Sequence, residues 1–383
     1  MLEPAGETLK ILIFSWKDLH HPWAGGSEVN MHEQAERWLA AGHKVTLFTS
    51  RPRGSKRHDN IDGVDVFRAG GRITTFLFAP IFYFAFLHRR ADVILDIING
   101  IPFATPLYSR KPVVGLIHHV HRDMFILELG PLVGRAGRAI ERYLVPLVYR
   151  RRTLICVSES TACAIRQQLF GGRKLDVRVV FNGIDRLLYS PGDGQRREKP
   201  TVLYLGRLKP YKQLPRLIRI MHRVREEVPE AELVIAGGGE SILEAQAEVK
   251  ELGAEEYIHF MWEVSDEEKV DLYREAWVTA TASLVEGWGL TVIEANACGT
   301  PAVAFNVPGL NESIVHGRTG MLAGDDEEFA RHLADILTDE DLRGGLAARA
   351  VEWSNGFSWD VTADKTLVIL EEAVRNSQAR KNT

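Results

Sequence analysis

The sequence predicts an α/β protein of two domains, each an open parallel sheet with helices on both faces. Three observations predict it. The chain has 383 residues, beyond the ~250–300 at which single cores stop growing. Short Val/Ile/Leu runs alternate with helical stretches along the whole chain, as parallel strands buried on both faces require. The alternation breaks once, at "RLLYSPGDGQRREKP" (186–200), a Pro/Gly-rich and charged stretch suited to a linker.

The first series of strand candidates opens with "KILIFSW" (10–16). A Gly-Gly turn, a helix around 27–41 and "KVTLFTS" (44–50) follow. "DVILDII" (92–98), "VVGLIHH" (113–119), "TLICVSE" (153–159) and "VRVVFNG" (177–183) complete that series. The second comprises "TVLYLGR" (201–207), "ELVIAGGG" (232–239), "YIHFMW" (257–262), "VTATAS" (278–283) and "PAVAFN" (301–306), with helical runs between them. A last helix, roughly 360–375, lies beyond the final strand candidate. The expected division is 1–186, a linker at 187–199, 200–359, and a terminal helix at 360–383. In such sheets ligands bind at the carboxyl ends of strands, where the strand order reverses. Two such domains facing each other would form a cleft.

Hydrophobic content of 45% and charged content of 26% are those of a soluble globular protein. Three cysteines, Cys156, Cys163 and Cys298, make no disulfide framework and suit a reducing cytoplasm. The opening "MLEPAGETLK" lacks the basic start and apolar run of a signal peptide. A net charge of −4 conceals an asymmetry: residues 1–200 carry 29 Lys+Arg against 19 Asp+Glu, a balance of +10, and the remainder stands at −14. A basic half implies an anionic partner, a membrane surface or nucleic acid; the acidic second half argues against general nucleic-acid binding. The dinucleotide fingerprint G-x-G-x-x-G is absent from both "GGSE" (25–28) and "AGGGES" (236–241), which disfavours a nicotinamide oxidoreductase.

Four stretches carry chemistry. In "GRLKPYK" (206–212), Arg207 leaves a strand and Lys212 follows five residues later near a helix start. Two cations beside exposed backbone N–H groups suit a diphosphate; two solvated surface cations are the plainer account. In "EGWGLTVIEANACG", Gly287 and Gly289 allow a sharp turn, and the N–H groups of Leu290 and Thr291 open a helix towards an anion. Glu286 precedes that helix and Glu294 lies inside it. A carboxylate accepts two hydrogen bonds at once, which matches vicinal sugar hydroxyls. A nucleoside-diphosphate sugar has that layout. Helix capping accounts for Glu286 alone and less well for Glu294, which has apolar neighbours. "GGSE" after the first strand lets backbone approach a phosphate. "LIHHVH" (116–121) invites zinc, but strand alternation would part His118 from His119, and only Asp123 stands near as a carboxylate. One histidine orienting a hydroxylated substrate, or simple packing, remains open. The Asp339–Asp341 pair reads as a helix start with an acidic first turn rather than a metal site.

Together "GRLKPYK", "AGGGE", "EGWGLTVIEANACGTPAV" and "NESIVHGRTG", with "GGSE", His118 and "VFNGID" (180–185), resemble glycosyltransferase family 4, over essentially the whole chain and most densely at 201–320. The resemblance implies the GT-B architecture: two Rossmann-like domains facing a central cleft, with the terminal helix crossing back onto the first. It implies a retaining transferase that uses a nucleotide-sugar donor, UDP- or GDP-linked, with no metal or other cofactor. By position, Arg207 and Lys212 match the diphosphate pair and Leu290 a backbone contact beside Gly289 and Thr291. Glu286 matches the carboxylate on the donor sugar, Glu294 the one on the ribose, Gly26 a phosphate-facing glycine and His118 a histidine near the transferred sugar. Trp262 stands where many relatives have the glycine that lies against the base. A nucleotide-sugar 2-epimerase shares the same shape, and a non-catalytic carbohydrate- or nucleotide-binding module is an alternative of a different class.

For the acceptor, "TTFLFAPIFYFAFLHRR" (74–90) is apolar and aromatic and ends in two arginines, and "RAGRAIERYLVPLVYRRR" (135–152) mixes Arg with Leu, Val and Tyr. The first is too short for a membrane span. An interfacial surface beside a lipid-linked acceptor, on the inner face of the cell membrane, is one expectation; a buried core helix with a solvated basic end is the other.

Overall fold

The computed structural model describes residues 8–122, 124–262 and 264–381. The chain forms two compact units, Met1–Gly183 with Trp359–Thr383, and Ile184–Ser358.

In the first unit the described residues form eight strands: β1 (Lys10–Phe14), β2 (Lys44–Thr49), β3 (His58–Ile61), β4 (Val64–Arg68), β5 (Val93–Ile97), β6 (Val113–Ile117), β7 (Leu154–Cys156) and β8 (Val177–Val179). Their order is β3-β4-β2-β1-β5-β6-β7-β8. Side chains alternate between two cores, as the two-residue period of a strand dictates. Leu12, Phe14, Ile94, Ile117 and Leu154 point to one core, and Ile11, Ile13, Leu95, Leu116 and Ile155 to the other. The helix Gly26–Ala40 covers the second face with Met31, Ala35 and Trp38. So does the last helix, Trp359–Ala379, through Ala363, Ile369 and Leu370. It is fastened by Trp38 Nε1 donating to Ala363 O (3.0 Å) and Thr362 Oγ1 to Phe181 O (2.8 Å). The expected terminal helix therefore runs longer than 360–375 and belongs to the first unit.

In the second unit the strands are β9 (Thr201–Leu205), β10 (Glu232–Ala236), β11 (Ile258–Met261), β12 (Val278–Thr281), β13 (Ala302–Phe305) and β14 (Gly320–Ala323), in the order β11-β10-β9-β12-β13-β14. All pairings are parallel. One face packs on the helix Leu214–Glu227, whose buried Leu214, Leu217, Ile218, Met221 and Val224 keep helical spacing. The other meets Val270 and Tyr273 of Asp266–Glu275, together with Ala295 and Cys298.

Three strands, β3, β4 and β14, lie outside the sequence reading. β3 runs antiparallel to β4, giving the first sheet a mixed edge, and β14 extends the second sheet by a strand. Neither segment has the apolar run that marks a buried strand: β3 reads "HDNI" and lies at an exposed edge. The stretch 187–199 is bound within the second unit. Arg196 donates to Thr300 Oγ1 (2.8 Å), Gly299 O (2.6 Å) and Ala276 O, and Trp277 Nε1 donates to Arg197 O (2.9 Å). Asp339 caps the helix Glu340–Ser354 by accepting from Leu342 N (2.9 Å), as its acidic first turn suggests. Among the described residues no helix is long and apolar enough to cross a membrane.

Candidate functional site

Strand order in the second unit reverses between β9 and β12, so the loops leaving those two strands diverge and leave a crevice. Arg207 and Lys212 stand on the first loop and Glu286 on the second. The Lys212 ammonium donates to Glu286 Oε1, which also accepts from Ser283 Oγ (2.8 Å). Both side chains are largely enclosed, 14% and 15% exposed. Burial opposes the lysine's charge, but Glu286 overrides it, and the Lys212 pKa is raised. The Tyr204 phenol, raised mainly by burial, feels Lys212, Glu286 and Arg207 together, and Tyr204 donates to Arg207 O (3.0 Å). Lys212 and the first predicted carboxylate thus meet directly, while the Arg207 side chain is linked to them through its charge acting on the Tyr204 phenol. Sequence reading missed Tyr204 because it sits inside a strand candidate with nothing to mark it as polar furniture.

Glycines make this edge possible. Gly237 adopts φ +123°, and a Cβ there would lie 2.2 Å from Gly206 O; one on Gly309 (φ +85°) would lie 2.3 Å from Glu286 O. The loops after β9 and β10 therefore meet backbone to backbone, as do those after β12 and β13. "AGGG", which fails the dinucleotide spacing, serves this packing instead.

The helix Leu290–Ala297 starts at Gly289, which takes φ +80° and provides no side-chain cap. Leu290 and Thr291 occupy its first two positions, where N–H groups lack an intrahelical acceptor. Glu294 lies deeper in that helix. Its carboxylate accepts from Tyr273 Oη (2.9 Å), and burial raises its pKa against the opposing effects of Tyr273 and Lys269. It has therefore acquired neighbours of its own rather than joining the Lys212–Glu286 contact. Trp262 follows the edge strand β11, half exposed and stacked on Phe260 at 5.9 Å with an 11° interplanar angle.

In the first unit the order reverses between β1 and β5. Gly26 opens the helix after β1. Its loop is latched by Glu28, fully buried, which accepts from Gly25 N (2.8 Å), Ser27 Oγ (2.6 Å) and Lys17 Nζ (2.9 Å). Lys17 and Glu28 were not singled out in the sequence, although both flank the Gly pair. His118 lies just past β6, at the same carboxyl edge. β6 stops at Ile117, so the strand alternation expected to part His118 from His119 does not operate. His118 is buried and its Nε2 has no hydrogen-bond partner among the described residues. Burial first, then the charges of Lys17 and His121, lower its pKa to about 4, which keeps it neutral. A neutral, buried imidazole nitrogen without a partner suits a ligand hydroxyl. Glu141 accepts from His121 N and Arg122 N (both 2.8 Å), fixing the turn beyond it.

Asp123 and the first seven residues lie outside the described residues. Among those described, the three histidines gather no ligand cluster; His32, Glu36 and Asp62 do bring ligand atoms within 4.8 Å of one another, the first two on the helix Gly26–Ala40.

In chain order, residues 24–186 match Glycosyltransferase Family 4 and residues 189–353 match Glycosyl transferases group 1. The D-inositol 3-phosphate glycosyltransferase of Kribbella flavida is 35% identical over 230 residues, 55% of this chain and 54% of that protein. That of Mycobacteroides abscessus is 30% identical over 296 residues, 65% of this chain and 66% of that protein. The chain spans about half the length of the first of these relatives. Among solved structures, sucrose-phosphate synthase from Thermosynechococcus elongatus superposes with a TM-score of 0.81 at 21% identity, covering 94% of this chain and 98% of that one. HepE from Anabaena, in complex with UDP and glucose, gives 0.74 at 19%, covering 95% and 100%. At these identities the two structures establish the fold alone.

Proposed function

Because the chain belongs to the GT-B glycosyltransferases, we propose that it is a retaining transferase that moves a sugar from a nucleoside-diphosphate donor to a hydroxyl acceptor. The observation that carries this reading is the Lys212–Glu286 contact across the β9/β12 reversal. A cation and a carboxylate held side by side fit the two ends of a sugar phosphate.

In this reading Arg207 and Lys212 neutralise the charge that grows on the departing diphosphate, which is the largest expected term. The N–H groups of Leu290 and Thr291 add to it, with Gly289 keeping the approach clear. Glu286 holds the donor sugar hydroxyls, Glu294 the ribose, and Trp262 offers the base a ring face. Gly26 gives a phosphate-facing backbone, and the neutral His118 orients the transferred sugar, so its contribution is positioning. The acceptor oxygen attacks on the face the diphosphate leaves, and its proton passes to a donor phosphate oxygen. The new bond forms as the old one breaks, no side-chain base is needed, and no metal is required because the two cations serve the phosphates. The D-inositol 3-phosphate glycosyltransferases and the UDP complex of HepE support a nucleotide-sugar donor. We place the acceptor among lipid-linked or cell-envelope glycans at the inner face of the membrane; the exposed Leu77, Phe78 and Ile81 of the helix Thr75–Phe82 support that reading.

The test is a thermal-shift and turnover screen of the full chain across nucleotide sugars, repeated with Arg207→Ala. One donor is expected to stabilise the protein and be consumed, and the variant to lose roughly 10²–10³ in kcat, the usual cost of one charge-stabilising donor. Near-normal transfer by the variant removes this mechanism.

A further inference from the structure

The helix Thr75–Phe82 continues through Tyr83–Leu87. Ala79, Tyr83 and Leu87 are buried against the sheet. Leu77, Ile81 and Phe84 point the other way and are 69%, 60% and 61% exposed. The ridge does not end there. Phe84 packs on Tyr108, and Tyr83 Oη bonds Ser109 Oγ at 2.7 Å. Leu107, in the turn just before, is also exposed.

Ser109 is where the surface changes sign. It borders a cavity of about 380 Å³ into which Arg110, Lys111, Arg151, Arg152, Arg380 and Lys381 converge, with no carboxylate among the described residues that line it. None of these six side chains forms an ion pair or hydrogen bond among the described residues. Burial and the charge of Arg380 together hold the Arg152 guanidinium below its ordinary value. Cations that close a helix favour its dipole, and this accounts for Arg380 and Lys381 after Trp359–Ala379 and for Arg151 and Arg152 after Val145–Tyr149. It does not account for Arg110 and Lys111, nor for six charges meeting in one cavity without a counter-charge among the described residues. The cavity lies where the chain enters β6 and β7, at the opposite edge of the sheet from Gly26 and His118, so it is not part of the site described above.

We propose that this cavity binds the headgroup phosphate of an anionic phospholipid while the adjoining ridge of Leu77, Ile81 and Phe84 enters the bilayer interface. Guanidinium forks match phosphate oxygens in pairs. A phosphate pocket that shares an edge with an exposed apolar ridge matches an amphiphile better than a free ion. The inference rests on the proposed membrane-side acceptor only in placing the protein at a bilayer.

The experiment is flotation of the full chain with vesicles of phosphatidylcholine alone and of phosphatidylcholine with phosphatidylglycerol, on variants whose circular dichroism is unchanged. Wild type is expected to float with the anionic vesicles only. Lys111→Gln with Arg152→Gln should weaken that binding roughly 30-fold, about what two cations contribute at an anionic surface. Arg173→Gln with Lys174→Gln, two exposed cations elsewhere on the unit, should leave it unchanged, and Ile81→Ser with Phe84→Ser should abolish it. Equal losses from both charge pairs, or no flotation of wild type, overturn the proposal. So does a rise in melting temperature with inorganic pyrophosphate that depends on Lys111 and Arg152 in a protein that ignores vesicles, since the ligand is then a free phosphate. Donor turnover measured on the same variants separates the two readings: its absence in wild type defeats the transferase and leaves vesicle binding to be judged alone.

Discussion

At the scale of single residues, His118 and Lys212 show how burial sets charge. Burial neutralises the histidine because the nearby charges, from Lys17 and His121, are of its own sign. The lysine stays charged because Glu286 outweighs its burial. The histidine has a measurable consequence. Its folded pKa lies near 4 against an ordinary value near 6.5, so unfolding takes up a proton between those values. The stability this represents is fully present above pH 6.5 and is lost as the pH falls towards 4, roughly 3 kcal/mol in all. Urea unfolding of wild type and His118→Gln should therefore give a stability gap that shifts by that amount against wild type between pH 7 and pH 4. A gap that stays constant with pH would mean the imidazole is solvated. The sequence made the type of each candidate residue legible, since Arg207, Lys212, Glu286 and Glu294 all follow strand candidates. It did not disclose which of them touch. Lys212 and Glu286 are far apart in sequence, and the contact exists only because β9 and β12 are neighbours.

At the scale of elements, the strands were legible where both faces are buried and obscure where one is not. β6 is an apolar run, β1 and β10 are apolar after a leading charged residue, and β5 is interrupted only by the buried Asp96. β3 is polar, at an edge, and antiparallel, so periodicity had no purchase on it. The apolar stretch 74–90 was ambiguous for a related reason. Its composition cannot say which apolar side chains face inwards, and the structure buries one face and exposes the other. Turn glycines carry the second lesson. Gly289 starts the helix Leu290–Ala297 at φ +80°, and an added Cβ would lie 2.8 Å from Ser313 Oγ and 2.9 Å from Leu310 Cδ2. Gly317 has φ +70° with nothing within 4 Å of such an atom. Alanine at Gly317 should cost only the left-handed backbone penalty, roughly 1 kcal/mol. Alanine at Gly289 adds a steric clash and should cost 1–3 kcal/mol more, about the price of an overpacked site, and weaken donor binding as the helix mouth shifts. Melting curves and donor titrations on the two variants check both statements, and equal losses would mean the crowding at Gly289 relaxes freely.

At the scale of the whole molecule, the chain's end completes its beginning. The first unit is discontinuous: its sheet is made from residues before Gly183, but one of its two cores needs Ala363, Ile369 and Leu370 from the last helix. The fastening is polar as well as apolar, with Arg37 Nε donating to Asp360 Oδ1 at 2.6 Å beside the Trp38 and Thr362 hydrogen bonds. The second unit, from Ile184 to Ser358, has its own cores and shares none of these residues. Removing side-chain volume from the last helix should therefore be felt by residues about 270 to 360 positions earlier and not by its immediate predecessors in the chain. Leu370 is fully buried, and Leu370→Ala should cost the first unit 2–5 kcal/mol, the range for a core leucine. Hydrogen exchange read by fragment is expected to show faster opening in β1, β5 and the helix Gly26–Ala40, with β9, β10 and the helix Leu214–Glu227 unchanged. Uniform acceleration across both units would show instead that the chain unfolds as one cooperative body, in which case a mutation on the terminal helix would also loosen the loops that hold Arg207, Lys212 and Glu286.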